Sequence, residues 1–502
     1  MSVPAAALSG VLAVLAALGA AHLVAGYVDP QSSPYLAVGS SAIDRTPPWL
    51  KDFGISAFGS NDKLVLLLVM GLVMVIFGAS AGVLCRRSRA AGASFIVLLG
   101  IVGTFAALGR PDTETIGVLA PLSAIPVGVA VLMFLVHRAT PEAVGERVSR
   151  RSFLGTSAAV AVGAGLSAVV GQRARNSVDV AASRTAVGTV TPTNPLSPPA
   201  PGADFVADGG PSFITGNGDF YRVDTSFDPP RIRAEDWSLR IHGMVDKEIT
   251  LDFAQLVERP LVAQRVTFTC VSYEVGGDLV STADWVGVQL RDLLLEAGVR
   301  SAAEQVYSTS SDGFTASTPV DVVMQPGRGA MLAVNMNGQP LPVEHGFPVR
   351  MLVPGLYGYV SATKWITDIE LTTYAAARAY WTPRGWSDHG PIKIASKITA
   401  VRRSVGASRN TVTVTGVAWY QAIGISAVQI RVDGGGWQNA RLGADGGKDA
   451  WRMWRADAAD VGGGSHTVEC RATGTDGTMQ TEKMAPPAPD GATGWHTFAF
   501  TV

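Results

Sequence analysis

Residues 265–294 read RVTFTCVSYEVGGDLVSTADWVGVQLRDLL, and their local patterns decide the fold of this part of the chain. The β-branched run at 265–271 predicts a buried strand, and FPVRMLV at 347–353 predicts another. LRDLLLEAG at 290–298 predicts a short amphipathic helix that Gly298 ends. Short strands, Gly/Pro turns and a few helices continue to about residue 385, as in a globular domain.

Charged residues divide the chain into two parts. They number 81 of 502, or 16%, against roughly 25% in an ordinary soluble domain. Only 14 lie in residues 1–140 and the other 67 follow, so the first part has the composition of a membrane region and the second is globular. From residue 176 on, 27 basic and 33 acidic residues give a net charge of −6 without a basic stripe, which excludes nucleic acid as a partner.

Five uncharged stretches reach the roughly 20 residues that a helix needs to cross a bilayer. They are about residues 4–27, 64–85, 90–109, 115–137 and 152–171. Arginines cluster in the loops after the second and the fourth stretch, and basic loops stay in the cytoplasm. We therefore predict a multi-pass protein of the cell membrane, with a cytoplasmic N-terminus and an extracytoplasmic region after residue 175.

Residues 149–155, SRRSFLG, lead into the fifth stretch. They resemble the twin-arginine export motif S/T-R-R-x-F-L-K, with Gly155 in the last place. Export by this route implies that the downstream domain folds and receives a cofactor in the cytoplasm. The alternative is that Arg150 and Arg151 only orient the helix. A motif of this kind after four spans is similar to a group of actinobacterial membrane proteins inserted by two pathways in turn.

Composition and pattern give five segments. Residues 1–148 hold four transmembrane helices, and residues 149–175 hold the twin-arginine motif and the fifth. Residues 176–203, rich in Pro, Ser and Thr, predict a semi-rigid linker. Residues 204–388 form the predicted globular domain. Residues 389–502 alternate apolar and polar side chains between Gly-rich turns, which is typical of a β-sandwich.

The chain has three cysteines, Cys85, Cys270 and Cys470. CxxC, HExxH and P-loop motifs are absent, which removes the common zinc and nucleotide sites. On its own, Cys270 is most simply a small hydrophobic residue in a strand, although a thiolate is also a good ligand for a redox metal. His22 and His137 lie near opposite faces of the membrane and cannot share one haem, so we predict no membrane haem.

Three blocks of sequence resemble the sulfite oxidase family of molybdopterin enzymes, over about residues 205–502. They are the stretch at 265–294, which matches a strand with a Cys followed by W-x-G-x-x-L-x-D-L-L; MNGQPLPVEHGFPVR at 336–350 with the following Val-Pro-Gly and Lys364-Trp365; and FITGN at 213–217 with FYR at 220–222. Trp285, Gly287, Leu290, Asp292 and Leu293 fill the defined places of the first motif.

The resemblance implies a multi-domain protein with an N-terminal five-helix transmembrane region, an α+β molybdopterin domain and a C-terminal immunoglobulin-like β-sandwich. It implies a molybdenum–molybdopterin cofactor, with Cys270 as the metal ligand and an open position for oxygen-atom transfer. It implies these cofactor contacts: Asn217, Tyr221, Arg222, Cys270, Ser311 or Asp312, His345, Arg350, Ser361, Thr363 and Lys364. It also implies catalytic roles for Cys270, Tyr221 and Arg384.

The family's substrate residues are only partly matched. Sulfite oxidases carry R-N-H directly after the third block, whereas this chain has Val223 and Thr225 in place of the Arg and the His. Arg384 is expected to hold an oxyanion, or else is a solvated loop residue. We expect oxygen-atom transfer on a small oxyanion such as sulfite. The alternatives are a sulfoxide reductase, similar to the periplasmic methionine sulfoxide reductase, and a non-catalytic membrane scaffold.

The partners follow from the same blocks. No haem, iron–sulfur or nucleotide motif accompanies them, so electrons are expected to pass to or from an external carrier, a cytochrome or a quinone-linked protein. The helices are expected to anchor the enzyme in the lipid bilayer. Residues 391–502 are expected to form a homodimer, as the corresponding domain of the family does.

Overall fold

In the computed structural model, the described residues are 1–29, 32–47, 50, 62–110, 115–140, 150–175, 178–226, 229–403 and 411–502. The chain divides into two compact units, residues 1–179 with 226–228 and residues 180–225 with 229–502. The first unit is helical and the second is built mainly from β-strands.

The described part of the first unit contains six α-helices. They are α1 (Val3–Val28), α2 (Pro34–Arg45), α3 (Asp62–Leu84), α4 (Arg89–Leu108), α5 (Leu119–Ala139) and α6 (Arg150–Arg175). Five of them are long and apolar enough to cross a membrane by length and composition, as predicted. The sequence did not predict α2, which has 12 residues and is too short to span a bilayer core of about 30 Å.

Small residues let α1 pack closely against α3 and α6. A Cβ added to Gly10 would lie 1.9 Å from the carbonyl oxygen of Gly78 in α3, and one added to Gly19 would lie 2.7 Å from that of Ala164 in α6. Helix backbones approach this closely only where side chains are very small, as is common between membrane helices. A larger side chain at Gly10 would therefore push α1 and α3 apart.

The predicted twin-arginine motif is only partly described. Ser149 and the side chain of Arg150 lie outside the described residues, and α6 begins with the backbone of Arg150. The export route and the orientation of the helices therefore remain predictions.

Strands and short helices alternate in the first part of the second unit. The described strands are β1 (Ser238–Gly243), β2 (Ile249–Asp252), β3 (Leu261–Thr269), β4 (Val280–Gln289), β5 (Gln305–Ser310), β6 (Thr315–Pro319), β7 (Met331–Met336), β8 (Gln339–Pro340), β9 (Arg350–Leu352) and β10 (Ile366–Thr372). The described α-helices are α7 (Val180–Val187), α8 (Phe253–Val257), α9 (Leu290–Ala297), α10 (Val320–Met324) and α11 (Gly358–Ser361).

Two five-stranded sheets organise these strands into an α+β domain. One has the order β2-β1-β10-β5-β6, with β1 and β10 parallel. The other has the order β3-β4-β7-β8, with β9 paired to β7. The predicted strands at 265–271 and 347–353 coincide with β3 and β9. The predicted helix is α9, which Gly298 ends with a left-handed φ of 70° that favours glycine.

The segment predicted as a linker, 176–203, pairs with the domain where it is described. Its residues 180–187 form α7, and Arg184 donates hydrogen bonds to the carbonyl oxygens of Leu341 and Pro340 at 2.8 and 3.0 Å. The backbone N–H of Thr193 donates to the carbonyl of Leu261 at 2.7 Å. A Pro-rich composition predicts extended backbone, but it does not reveal whether that backbone finds a partner.

The last part of the second unit consists of two antiparallel sheets. The described strands are β11 (Ala395–Arg403), β12 (Val412–Trp419), β13 (Ile425–Val432), β14 (Gln438–Asn439), β15 (Arg441–Leu442), β16 (Arg452–Ala458), β17 (Ser465–Gly474) and β18 (His496–Thr501). The sheet orders are β11-β12-β16-β15 and β14-β13-β17-β18. Both sheets contribute to one core that contains Ile430, Trp454 and Cys470. Two sheets around one core agree with the predicted sandwich, and the immunoglobulin-like assignment remains a prediction.

Candidate active site

Cys270 directly follows β3, where the chain turns back toward β4. Its backbone N–H donates to the carbonyl of Leu279, and its own carbonyl accepts from Tyr273, both at 3.0 Å. The buried side chain is a free thiol and lines a cavity of about 130 Å³. Burial raises the pKa of the thiol, while hydrogen bonds with Ser272 and the charge of Lys364 oppose that rise. The turn thus holds a free thiol at a fixed position in the cavity wall.

Arg350, on β9, lines the same cavity and is stacked on two aromatic rings. Its guanidinium carbon lies 4.9 Å from the ring centre of Phe268 and 5.1 Å from that of Trp285. One nitrogen donates to the carbonyl of His345 at 3.1 Å, and Nε has no hydrogen-bond partner among the described residues. Burial lowers the pKa of Arg350 to about 10, so the side chain remains charged at neutral pH. The rings stabilise this buried cation without neutralising it.

His345 ends a short 3-10 helix, Val343–His345, and is buried. Its Nε2 lies 3.1 Å from the carbonyl oxygen of Asn217, which can only accept, so Nε2 carries the proton and donates. Burial, followed by the charges of Arg350 and Lys364, lowers the pKa of His345 to about 4. The ring is therefore neutral at neutral pH, and Nδ1 is an acceptor.

Asn217 connects the segment before β1 to the turn between β7 and β8. Its side chain accepts a hydrogen bond from Asn337 at 2.8 Å and donates to the carbonyl of Met336 at 3.4 Å. Asn337 has a left-handed φ of 51°, which Asn tolerates in tight turns. The side chain of Asn217 is thus used within the protein, while its backbone carbonyl orients His345.

Tyr221 lines the cavity that contains Cys270. Its backbone N–H donates to Oγ of Ser281 at 3.2 Å, and its ring stacks on Phe220 with 5.5 Å between the ring centres. Burial raises the pKa of Tyr221 well above its ordinary value, the neighbouring thiol adds to the rise, and Arg350 opposes it. The hydroxyl stays protonated at neutral pH, so it can donate a hydrogen bond into the cavity.

Lys364 also lines the cavity, as half of a buried ion pair. Its Nζ lies 3.2 Å from a carboxylate oxygen of Asp224 and donates to the carbonyl of Glu344 at 3.0 Å. The same carboxylate accepts from Nε of Arg222 at 2.7 Å. The side chain of Arg222 is 40% exposed and, unlike Asp224, does not line the cavity. Burial lowers the pKa of Lys364 to about 8, and the charge of Asp224 opposes that change.

Aromatic side chains form much of the remaining wall. They include Phe314, Tyr359, Trp381 and Trp386. The rings of Trp381 and Trp386 meet edge to face, with 6.1 Å between their centres. Arg384, between these two tryptophans in the sequence, does not line the cavity, because its guanidinium stacks on Tyr380 at 3.7 Å from the ring centre. Its role in holding an oxyanion remains a prediction, which this position does not favour.

Three further predicted cofactor contacts are not among the residues that line the cavity. The buried hydroxyl of Ser361 donates to two backbone carbonyls of the preceding residues at 2.9 and 3.0 Å. The hydroxyls of Thr363 and Ser308 share a hydrogen bond of 2.7 Å. Ser311 has a buried hydroxyl without a hydrogen-bond partner among the described residues, and its neighbour Asp312 lines the cavity.

The residues present fit an anionic cofactor that contains a metal. Arg350 supplies a buried charge and an Nε that is unsatisfied in the described structure, which suit a phosphate or another anion. Cys270 supplies a thiol, which a redox metal would bind as the thiolate. No group of three or more His, Cys, Asp or Glu side chains among the described residues could hold a metal ion.

Comparison with known proteins agrees with this geometry. Residues 226–381 match the family model described as oxidoreductase molybdopterin binding domain. Sulfite oxidase of Gallus gallus is 26% identical over 306 residues, which are 51% of this chain and 66% of that protein. Mitochondrial sulfite oxidase of Homo sapiens is 28% identical over 239 residues, 41% of this chain and 44% of that protein. The chain thus carries an oxidoreductase molybdopterin binding domain that is similar to those of sulfite oxidases.

Other relatives place limits on this assignment. Nitrate reductase [NADH] of Spinacia oleracea is 30% identical over 177 residues, 30% of this chain and 19% of that protein. The chain thus spans between 19% and 66% of the length of these three relatives. The sulfane dehydrogenase SoxCD from Paracoccus pantotrophus superposes with a TM-score of 0.50 at 21% identity, over 63% of this chain and 88% of that chain. At this identity, the likeness shows the fold alone.

The sequence did not predict the ion pair of Asp224 with Lys364 or the cavity-lining positions of Phe314 and Tyr359. Asp224 stands where the sulfite oxidase segment R-N-H has Asn, between the exchanged positions Val223 and Thr225. This change from an amide to a carboxylate was the available signal. Phe314 and Tyr359 lie outside the matched motifs, so nothing in the sequence distinguished them from core aromatics.

Proposed function

We propose that this chain is a molybdopterin-dependent oxidoreductase that transfers an oxygen atom to or from a small substrate. The observation that carries the proposal is a free thiol and a buried arginine without a described carboxylate partner, Cys270 and Arg350, in one cavity. Cys270 would be the protein ligand of molybdenum, and Arg350 with His345 would hold the anionic part of the pterin. When bound, the cofactor supplies two-electron oxygen-atom chemistry at an open metal position.

The residues of the chain bind and orient the substrate and exclude water. The protonated hydroxyl of Tyr221 donates a hydrogen bond to the oxygen atom of the substrate. The rings of Phe314, Trp381 and Trp386 limit access of water to the cavity, which strengthens the polar contacts inside it. Neutral His345 offers Nδ1 as an acceptor to the cofactor without adding a charge.

Two substrate classes fit this reaction. The names of the relatives suggest a small oxyanion such as sulfite, which with water yields sulfate, two protons and two electrons. The aromatic wall favours a second candidate, an uncharged sulfoxide, because apolar rings bind its two apolar substituents. A sulfoxide takes up two protons and two electrons and yields a sulfide and water.

Under this proposal, the five apolar helices anchor the enzyme in the cell membrane. The basic loops and the twin-arginine motif support an extracytoplasmic position of the domain. An external carrier, a cytochrome or a quinone-linked protein, supplies or accepts the two electrons. The C-terminal sheets at 391–502 would be an immunoglobulin-like domain through which two copies associate.

Metal and pterin analysis of the full-length chain, purified in detergent, tests the proposal. We expect about one molybdenum and one pterin per chain, with turnover of at least one substrate among sulfite, sulfoxides and nitrate in the presence of an artificial electron carrier. Cys270→Ser should lose the metal–thiolate absorption and at least about 100-fold in turnover, because even outer-shell partners of metal sites are worth 10- to 100-fold.

Cys470→Ser is the matched control. Cys470 is also a buried free cysteine, but it lies in the core of the C-terminal sheets, where Ser396 donates to its sulfur at 3.2 Å. This variant should keep the absorption and, within about twofold, the turnover, because it is remote from the cavity. A wild-type chain without molybdenum and pterin would contradict the proposal and favour a non-catalytic scaffold.

A further inference from the structure

Asp224 is a carboxylate buried in the wall of the active-site cavity. Only 5% of its side chain is exposed, and its Oδ2 lies 2.7 Å from Nε of Arg222 and 3.2 Å from Nζ of Lys364. The same Nζ donates to the carbonyl of Glu344 at 3.0 Å. Lys364 is therefore directed toward a carboxylate and a carbonyl of its own protein.

Asp224 compensates the charge of Lys364 in the cavity wall. Arg222 contacts the same carboxylate, but its side chain is 40% exposed and lies outside the cavity wall, so water screens its charge. His345 is neutral, and an anionic cofactor would use the charge of Arg350. A substrate dianion would thus lose its hydration without gaining an uncompensated cation from the wall.

The other side chains of the wall suit an uncharged molecule. Phe314, Tyr359, Trp381 and Trp386 offer apolar contact area, and the negative ring faces of aromatics do not favour an anion. Tyr221 offers one hydroxyl donor for a single polar oxygen. A molecule with one strongly polar S–O or N–O bond and apolar substituents matches this distribution.

We propose that Asp224 sets the charge selectivity of the site: by neutralising Lys364, it makes the cavity accept an uncharged oxygen donor with apolar substituents in preference to an oxyanion. The inference rests on the proposed function and names its substrate class. For a sulfoxide, the S–O bond breaks, the oxygen leaves as water with two protons, and the external carrier supplies both electrons. Asp224 acts through Lys364, so it is a specificity-determining residue and not a catalytic one.

The test compares two unreactive probes on the full-length, cofactor-loaded protein in detergent. Sulfate represents an oxyanion and dimethyl sulfone an uncharged sulfur oxide, and Trp381 and Trp386 in the wall report binding of either by fluorescence. The wild type should bind the sulfone at least about tenfold more tightly than sulfate. Asp224→Asn should tighten sulfate binding by at least about tenfold, because the unpaired buried lysine recruits an anion, and change sulfone binding by less than about threefold.

Asp284→Asn is the matched control outside the cavity. It also removes the carboxylate partner of a buried cation, Arg265, whose Nε lies 2.6 Å from Asp284, but neither residue lines the cavity. It should shift sulfate binding by less than about threefold. Asp224→Glu keeps the charge and should keep the wild-type preference, which covers the case in which Asp224→Asn does not fold.

The outcomes separate this inference from the proposed function. Molybdenum and pterin are measured in every sample, and their absence from the wild type contradicts the proposed function. The selectivity inference is overturned if loaded wild-type protein binds sulfate as tightly as the sulfone. It is also overturned if Asp224→Asn and Asp284→Asn tighten sulfate binding equally, because the effect would then belong to any lost carboxylate.

Discussion

Two regions of the second unit each hold a buried free thiol, and only one of them is a candidate site. Cys270 lines a cavity together with Lys364 and Tyr221. Cys470 lies on β17 in the core of the C-terminal sheets, where Ser396 donates to its sulfur. Burial raises the pKa of both thiols, to about 12 for Cys470, so thiol acidity does not distinguish them. The difference is the open space beside the sulfur of Cys270.

Each region also holds an arginine stacked on two aromatic rings. Arg431, on β13, lies 4.8 Å from the ring centre of Trp437 and 5.0 Å from that of Trp495, and Glu469 neutralises it at 2.5 Å. Arg350 has a similar pair of rings and no described carboxylate partner. The comparison teaches that a stacked arginine and a buried thiol do not define a site. What marks the candidate site is a buried charge beside a cavity for which no compensating carboxylate is described.

Among the variants that compare the two regions, Arg350→Met should have the largest effect, which is a loss of bound cofactor. The Met side chain still fills the space between Phe268 and Trp285 but removes the charge that would hold the cofactor. Loss of a charge-assisted contact of about 1.5–3 kcal/mol corresponds to about a 10- to 100-fold weaker hold on the cofactor. Metal analysis and the fluorescence of oxidised pterin, per mole of purified chain, measure the effect.

Arg431→Met makes the same change at the other stacked arginine. It breaks the ion pair with Glu469 on a partly exposed sheet, so it should reduce the thermal midpoint slightly and leave the cofactor content unchanged. Equal cofactor loss in both variants would show that Arg350 acts through general stability. Full cofactor content in Arg350→Met would remove Arg350 from the cofactor site.

A smaller effect is expected from Tyr221→Phe. The ring remains stacked on Phe220, and only the protonated hydroxyl in the cavity is lost. Because one hydrogen bond to the reacting oxygen is worth about 1.5 kcal/mol, kcat should fall about tenfold, with a smaller change in KM. Tyr357→Phe is the control, since Tyr357 is a buried tyrosine that does not line the cavity. An unchanged kcat in Tyr221→Phe would exclude the proposed donor role.

The fold was predictable where the decisive pattern is local. The apolar stretches, the strand before Cys270 and the helix closed by Gly298 all depend on neighbouring residues and agree with the structure. The helix α2 and the paired backbone of residues 180–203 were not predicted. The helix α2 is too short to show the apolar length of a membrane span. The pairing of residues 180–203 depends on hydrogen bonds to residues far along the chain, such as that of Arg184 with Leu341.

The candidate site was predictable to a similar extent. Cys270, His345 and Arg350 belong to contiguous blocks whose spacing identifies them, and the structure brings all three to one cavity. The pair of Asp224 with Lys364 joins residues 140 positions apart, so only the fold reveals it. Arg384 was predicted from the place of residues 380–386 in the family resemblance. Its stacking on Tyr380, four residues earlier, depends on side-chain conformations that a sequence match does not specify.

The smallest predicted effect concerns a pair of histidines, one in each region. Burial lowers the pKa of His345 and of His496 to about 4, from an ordinary value of 6.5. Both are neutral in the folded protein, whereas the unfolded chain binds protons below pH 6.5. Their contribution to stability is therefore complete above pH 6.5 and is lost as the pH falls toward 4. When the pH falls from 7.5 to 6, each histidine should lower the free energy of unfolding by about 0.8 kcal/mol.

Binding of the cofactor should change the pKa of His345 and leave that of His496 unchanged. A bound anion beside His345 raises its pKa toward 6.5, so less stability is lost there on acidification. His496 lies on β18, where Nδ1 accepts from the N–H of Ile398 at 3.0 Å, and should not respond. His496→Asn should therefore reduce the difference in thermal midpoint between pH 7.5 and 6 in both loaded and cofactor-free protein. His345→Asn should do so chiefly in cofactor-free protein, and an equal reduction in both forms would place the anionic part of the cofactor away from His345.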